Sequence, residues 1–281
     1  PWIRSLGFFD QLKLRASYGE TGNSSIGSYL YLDSYSFASK YHNKVTAIPV
    51  RKANPYLGWE TANMTGVGLD ASFLGRIDLT LDFYNIINSV PLSPSTGFFD
   101  QTANAGKVRN RGFEIALNTT NVKTRDVTWT TGFNIGFNRN RVLTTPTPEG
   151  FLQSSGGNGT VSQQVKVGQD IYSWYMPKWL GVDPGNGDPV WEKVVYDEHG
   201  RVTGRIPTND YSEATNQVVC VATPKFSGGV STSLRVFNFT LSGVANFVYG
   251  NKIFNNDRLT MDADGAFLTH NSVSLDNGLK W

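Results

Sequence analysis

Cysteine is almost absent from this chain, with Cys220 the only one in 281 residues. A single thiol excludes an intrachain disulfide framework and any metal site built from clustered cysteines. Histidine is nearly as scarce. His42, His199 and His270 lie too far apart to form a paired ligand motif, and they read as exposed loop residues. No run of 18 apolar residues occurs, so no transmembrane helix is expected, and mean hydropathy is negative. Charge of one sign is also lacking: 25 Lys and Arg against 23 Asp and Glu leave +2, dispersed without a basic stripe. That balance gives no reason to expect a nucleic-acid partner. Helical stripes at i, i+3, i+4 and i+7 are missing too, while 13% aromatics, 29 glycines and 12 prolines favour strands and turns. The expected fold class is all-β, and nothing marks a boundary between two cores.

What is present is alternation. Over Val127 to Asn138, VTWTTGFNIGFN, one face collects Val127, Trp129, Thr131, Phe133, Ile135 and Phe137, and the other collects threonine, glycine and asparagine. A strand sends successive side chains to opposite sides, so this describes a ribbon with one apolar and one polar surface. The polar side is small and hydroxylated, as suits a water-filled lumen. Leu12, Leu14 and Ala16 oppose Lys13, Arg15 and Ser17; Leu79, Leu81 and Phe83 oppose Asp78, Thr80 and Asp82; Phe113, Ile115 and Leu117 oppose Glu114, Ala116 and Asn118. Each charge in these segments falls on the polar face. A lipid-facing outer surface explains that sorting, because Arg or Lys there costs roughly 2 to 4 kcal/mol at the bilayer midplane.

Strands are predicted near residues 11–20, 59–73, 76–88, 107–120, 127–142, 225–236 and 238–250. The connections then alternate: tight at Leu74-Gly75, Asn121 to Asp126 and Phe237-Asn238, long and polar at 21–58, 89–106 and 143–224. Bacterial outer-membrane barrels are built this way, with short periplasmic turns and long extracellular loops. The expected fold is therefore a partial antiparallel transmembrane β-barrel. Parity requires 143–224 to cross the membrane an even number of times, which leaves room for a further strand pair at 169–181 and 189–196 around the turn VDPGNGD.

Several constellations have bland readings. Asp183, Asn186 and Asp188 are oxygen-rich but lack the spacing and terminal Glu of an EF-hand, so they read as a turn. The glycines of SSGGNGT, 154–160, precede no predicted helix and make no phosphate cradle. Asp78, Asp82 and Glu114 could be imagined as a glycosidase acid pair, but strand geometry makes them lumen wall. No catalytic residue, metal or cofactor is expected.

The order of segments resembles a known family, the SusC/RagA-type TonB-dependent outer-membrane transporters of the Bacteroidetes. The carrying stretches are LKLRASYGETGNSSIGSY (12–29), NPYLGWETANMTGVGLDASFLGRIDLTLDFYN (54–85), GKVRNRGFEIALNT (106–119), WTTGFNIGFNRNRVL (129–143) and PKFSGGVSTSLRVFNFTLSGVANFVYGNKIFN (224–255). The likeness implies that residues 1–281 are part of a C-terminal barrel, with the export signal, the plug and the closing strands lying elsewhere. It implies uptake of a glycan or peptide, with TonB and a SusD-like surface lipoprotein as partners and outer-membrane lipid as surroundings. The stretch YDEHGRVTGRIPTNDYSEAT departs from the acidic, Gly-rich run that relatives often carry after the turn. Candidate substrate-binding residues are loop aromatics, whose flat faces suit sugars or peptide side chains: Trp174, Tyr175, Trp179, Trp191, Tyr35 and Tyr41. The rivals are an extracellular β-sandwich adhesin or carbohydrate-binding module, and an open porin.

Overall fold

A computed structural model describes residues 7–92, 102–156 and 161–261. In chain order the strands are β1 (Phe9–Asn23), β2 (Ser34–Tyr41), β3 (Lys44–Arg51), β4 (Glu60–Phe73), β5 (Ile77–Leu92), β6 (Ala103–Lys123), β7 (Val127–Thr144), β8 (Phe151–Gly156), β9 (Val161–Val165) and β10 (Ser173–Pro177). They continue with β11 (Trp179–Val182), β12 (Pro189–Tyr196), β13 (Val202–Thr208), β14 (Asn216–Val221), β15 (Phe226–Val236) and β16 (Phe239–Tyr249), followed by a short helix α1 (Asn256–Met261). The chain forms two units. One comprises the described residues of Pro1–Gly150, Lys166–Ile171 and Thr223–Asn251; the other comprises those of Phe151–Val165, Tyr172–Ala222 and Lys252–Trp281.

The first unit is a seven-stranded antiparallel sheet in the order β1-β4-β5-β6-β7-β15-β16. Its strands are the seven predicted from alternation, most of them longer; β6 runs for 21 residues and β7 for 18. Residues paired directly across an antiparallel ladder point to the same side, so register tests the sorting of faces. One row reads Leu14, Leu69, Leu81, Ile115, Ile135, Gly228 and Phe247. The next reads Lys13, Asp70, Thr80, Ala116, Asn134, Gly229 and Asn246. Each row keeps its character across the whole sheet. Leu14 remains 75% exposed and Leu241 73%, and Phe133 is also open, so the apolar face is not packed into a closed interior. This is the arrangement of a membrane wall and not of a sandwich half. Tight turns join β4 to β5, β6 to β7 and β15 to β16 at one end of the sheet. At the first of these, Leu74 and Gly75 both have positive φ, the mirror-image turn that matches strand twist.

The long connections are more structured than their polarity suggests. Residues 21–58 contain the β2–β3 hairpin, whose turn places His42 and Asn43 at φ 49 and 59. The stretch 143–224 holds β8 to β14. Among the described residues it forms no further wall pair, which corrects the expected crossing at 169–181 and 189–196. β7 bonds directly to β15, while β10 joins a four-stranded sheet, β14-β10-β9-β8, and β11 and β12 join a three-stranded one, β11-β12-β13. The chain switches sheets at Lys178, just after Pro177. The resulting strands of five and four residues fall well short of the roughly 9 to 11 that a transmembrane strand needs. In this second unit the buried side chains are Val161, Val165, Trp174 and Val194, with Gln163, Ser173 and Glu192 as buried polar groups.

Candidate functional site

On the polar face of the seven-stranded sheet, glycines sit between larger residues and let the flanking strands join over them. Arg15, Gly68 and Asp82 lie in one register row. The guanidinium crosses above Gly68: its Nε donates to Asp70 Oδ2 at 2.8 Å, and its Nη2 to Asp70 Oδ1 and Asp82 Oδ1, both at 2.9 Å. A Cβ at Gly68 would meet Arg15 Cζ at 2.7 Å and collide with Asp82 Oδ1. Tyr84 spans Gly112 in the same way and donates to Asn138 Oδ1 at 3.1 Å. Asn118 and Ser231 converge over Gly132, and Asn246 leans over Gly229. These contacts reach across all seven strands of the sheet. Alternating glycines were visible in the sequence; which side chains meet above them was not.

The same face carries two hollows. One, of about 500 Å³, is lined by Thr80, Asp82, Glu114, Asn134, Ser227 and Asn246 among others. The second, of about 300 Å³, is lined mainly by Asp78, Asn118, Thr130, Ser231, Ser233 and Ser242. Their chemistry is amide, hydroxyl and carboxylate. Asp78 accepts from Ser72 Oγ at 2.6 Å and Asp82 is paired with Arg15, so two of the three carboxylates considered for hydrolysis have structural partners. Asp82 and Glu114 sit directly opposite each other across the ladder.

The second unit contains the loop aromatics. Trp179 and Trp191 are register partners with ring centroids 5.7 Å apart, edge to face, and Tyr211 packs on Trp191 at 5.2 Å. Trp179 is 53% exposed and Tyr211 61%, so this three-ring ledge presents faces to solvent. Tyr211 lies between strands, in a stretch with no periodic signal, and was not singled out from sequence. Trp174 is buried, packs on Phe254, and donates its indole N–H to the Lys252 carbonyl at 2.9 Å. Tyr175 is half-buried on the same strand. Tyr35 and Tyr41 are exposed on the β2–β3 hairpin in the first unit, where Tyr41 rests edge-on against His42.

Behind the ledge stands Glu192. Its carboxylate takes Lys178 Nζ at 2.9 Å on Oε2, and Gln217 Nε2 at 2.9 Å and Arg205 Nη1 on Oε1. Its backbone N–H donates to the Lys178 carbonyl, and its carbonyl accepts from Thr215 N–H. One buried acid thus ties β12 to β13, to β14 and to the residue before β11. The ammonium of Lys178, with the Gln217 amide and Arg205 guanidinium, outweighs burial and holds the Glu192 carboxyl down at about 2. Burial pushes the Cys220 thiol upward, away from reactivity.

The remaining sequence candidates take their bland roles. Asp183 and Asn186 cap their own turn, with Gly185 N–H on Asp183 Oδ1 at 2.8 Å and Asp188 N–H on Asn186 Oδ1 at 3.0 Å. His199 lies in the β12–β13 turn closed by Asp197. His270 lies outside the described residues, as do 157–160 of the glycine stretch. Among the described residues no three of His, Cys, Asp and Glu cluster as metal ligands.

The family model described as TonB dependent receptor-like, beta-barrel matches residues 4–275. TonB-dependent receptor P3 of Formosa agariphila is 30% identical over 93% of this chain, and TonB-dependent receptor SusC of Bacteroides thetaiotaomicron is 29% identical over 95%. The chain spans 28% of the length of each of these relatives. Among solved structures, the RagAB peptide importer in its "closed-closed" state superposes with a TM-score of 0.79 at 23% identity, over 98% of this chain and 31% of that one. The family match reaches nearly end to end and agrees with the two-faced sheet, and the chain therefore belongs to the TonB-dependent receptor β-barrel family, as a section of outer-membrane barrel wall.

Proposed function

We propose that this chain forms part of the wall and the outer loops of an active importer, which takes up a glycan or peptide using force from TonB and receives it from a SusD-like surface lipoprotein. The observation that carries the reading is the polar face, continuous over seven strands and backed by an equally continuous apolar one. Its amide, hydroxyl and ion-paired side chains suit passage of a hydrated oligomer. Asp78 and Asp82 are held by Ser72 and Arg15, the structural partners expected of wall residues. The exposed ledge of Trp179, Trp191 and Tyr211 is the favoured contact for incoming cargo, since aromatic faces bind both sugar rings and peptide side chains. Tyr35, Tyr41 and Tyr175 are secondary candidates.

The test uses the full-length gene in its host. Growth on oligosaccharides or peptides as sole nutrient is compared in the wild type, a deletion strain and a strain lacking TonB. The expected result is loss of growth on one nutrient class in both mutants. Uptake that persists without TonB would favour the open porin. Recovery of the full-length product in a detergent-free soluble fraction would favour the adhesin or carbohydrate-binding module.

A further inference from the structure

The sorting of charge to the polar face breaks near one end of the sheet, with a cluster of like charge on two neighbouring strands. On β6 and β7 the apolar face continues, beyond the Phe113–Phe137 pair, into Arg111 opposite Arg139 and then Arg109 opposite Arg141. No register shift intervenes between these pairs and the phenylalanines, so all four arginines stand on the lipid-facing side. Like charges directly opposite each other on a ladder repel. None of the four has a carboxylate partner among the described residues, and three of them are exposed. Glu20 shares the row of Arg109 and Arg141 through Asn63 and Ile87, but it is three strand spacings from Arg109, about 14 Å.

Height places this patch. Thr119 is paired with Ile77 beside the tight turn, and from there to Arg109 is ten steps along β6. Ten steps cover about 33 Å, or roughly 25 Å along the membrane normal at a tilt near 40°, which is the height of a barrel's apolar band. The arginines therefore lie at the rim from which the long connections leave. Just below them Phe83, Phe113, Phe137, Phe226 and Tyr249 form an aromatic belt, with Phe137 and Phe226 centroids 5.9 Å apart and Phe226 and Tyr249 5.0 Å apart. Acyl chains against the belt bring headgroups level with the guanidinium groups.

We infer that Arg109, Arg111, Arg139 and Arg141 form a binding site for a phosphate-bearing lipid headgroup of the outer leaflet. Guanidinium groups recognise phosphate oxygens in pairs, and an anion between Arg111 and Arg139 turns their repulsion into a clamp. The occupant is a lipid and not a free anion because the site is continuous with a surface that only acyl chains cover. The inference depends on the outer-membrane setting and not on the identity of the cargo or on TonB.

The test is native mass spectrometry of the full-length protein in detergent, titrated with a bisphosphorylated glucosamine-disaccharide lipid, with its dephosphorylated form and with inorganic phosphate. Wild-type protein is expected to prefer the bisphosphorylated lipid at least tenfold over the dephosphorylated one. The quadruple variant R109Q/R111Q/R139Q/R141Q is expected to lose that preference, while the corresponding four-lysine variant, which keeps the charge without the paired geometry, retains part of it. Should the quadruple variant fail to fold, judged by the heat-dependent gel shift of a closed barrel, the separate doubles R111Q/R139Q and R109Q/R141Q are each expected to lower the preference at least threefold. Equal binding of both lipids by the wild type, or an undiminished preference in the folded glutamine variants, overturns the proposal. Inorganic phosphate binding as tightly as the lipid would reduce the patch to a general anion site and overturn it as well.

Discussion

Ile135 and Asn134 are neighbours on β7 whose side chains point to opposite faces, and an arginine at each provides a direct trial of the membrane reading. Ile135 is four steps from Thr131, which shares the row of Ile77 at the turn end. Four steps are about 13 Å, or roughly 10 Å along the normal at 40° tilt. That lies close to the middle of a band roughly 25 Å tall, where a lipid-facing arginine costs most, about 2 to 4 kcal/mol. Converted at about 1.4 kcal/mol per decade, Ile135→Arg lowers the folding equilibrium constant roughly 30- to 700-fold. Asn134 faces the 500 Å³ hollow beside Asp82 and Glu114, where an arginine stays in water near carboxylates. Asn134→Arg is expected to cost less than about 1 kcal/mol, in the range of a surface substitution. The assay is reversible unfolding of the full-length barrel in phospholipid vesicles, followed by tryptophan fluorescence over a denaturant series. Equal costs for the two variants, or a larger one for Asn134→Arg, would refute the assignment of faces.

Gly68→Ala is expected to destabilise by roughly 1 to 3 kcal/mol, because the added methyl collides with the Arg15 guanidinium and Asp82; the same unfolding assay should show a smaller cost in an Arg15→Ala background, where the guanidinium collision is gone and the unpaired Asp82 side chain is free to move aside. Glu192 is held down at about 2, below its ordinary value near 4.5, so its contribution to stability is complete above that value and disappears as pH falls through about 2. Pepsin cleavage within 178–217 should accordingly rise in the wild type over that window, whereas Glu192→Gln should be cleaved readily throughout; matching profiles would argue against the hub. Trp179→Ala and Tyr211→Ala are each expected to raise the cargo concentration for half-maximal uptake roughly 2- to 10-fold, a loss of about 0.5 to 1.5 kcal/mol of ring contact. Radiolabelled uptake measures this, with Trp174→Phe as a control for packing alone.

Legibility differed by element for physical reasons. The seven wall strands were readable because alternation over 11 residues or more is a strong local signal, as in β15 and β16. The hairpin β2–β3 and the strands β8, β9, β13 and β14 were not; β12 falls on the expected stretch 189–196 and β10 and β11 largely within 169–181, but that these short strands leave the wall is decided by partners elsewhere in the chain. The six aromatic candidates, expected in loops, all lie on short strands outside the seven-stranded wall, and only coordinates separate Trp174, which is packed, from Trp179, which is open. Tyr211 became visible only through its contact with Trp191. The four rim arginines carry no such signal, because the apolar alternation of β6 and β7 stops at Phe113 and Phe137 and their pairing depends on register.

By itself the sequence determined the two-faced character of each strand, the order of short and long connections, and hence which surface meets lipid. These follow from the two-residue period of an extended backbone, a local property of covalent geometry. Tertiary structure alone decided that Arg15 meets Asp70, 55 residues away, over the gap at Gly68, that Glu192 gathers Lys178, Arg205 and Gln217, and that Arg109 and Arg111 face Arg141 and Arg139. Such meetings depend on register between strands, and register is set by all the pairings of a sheet acting together.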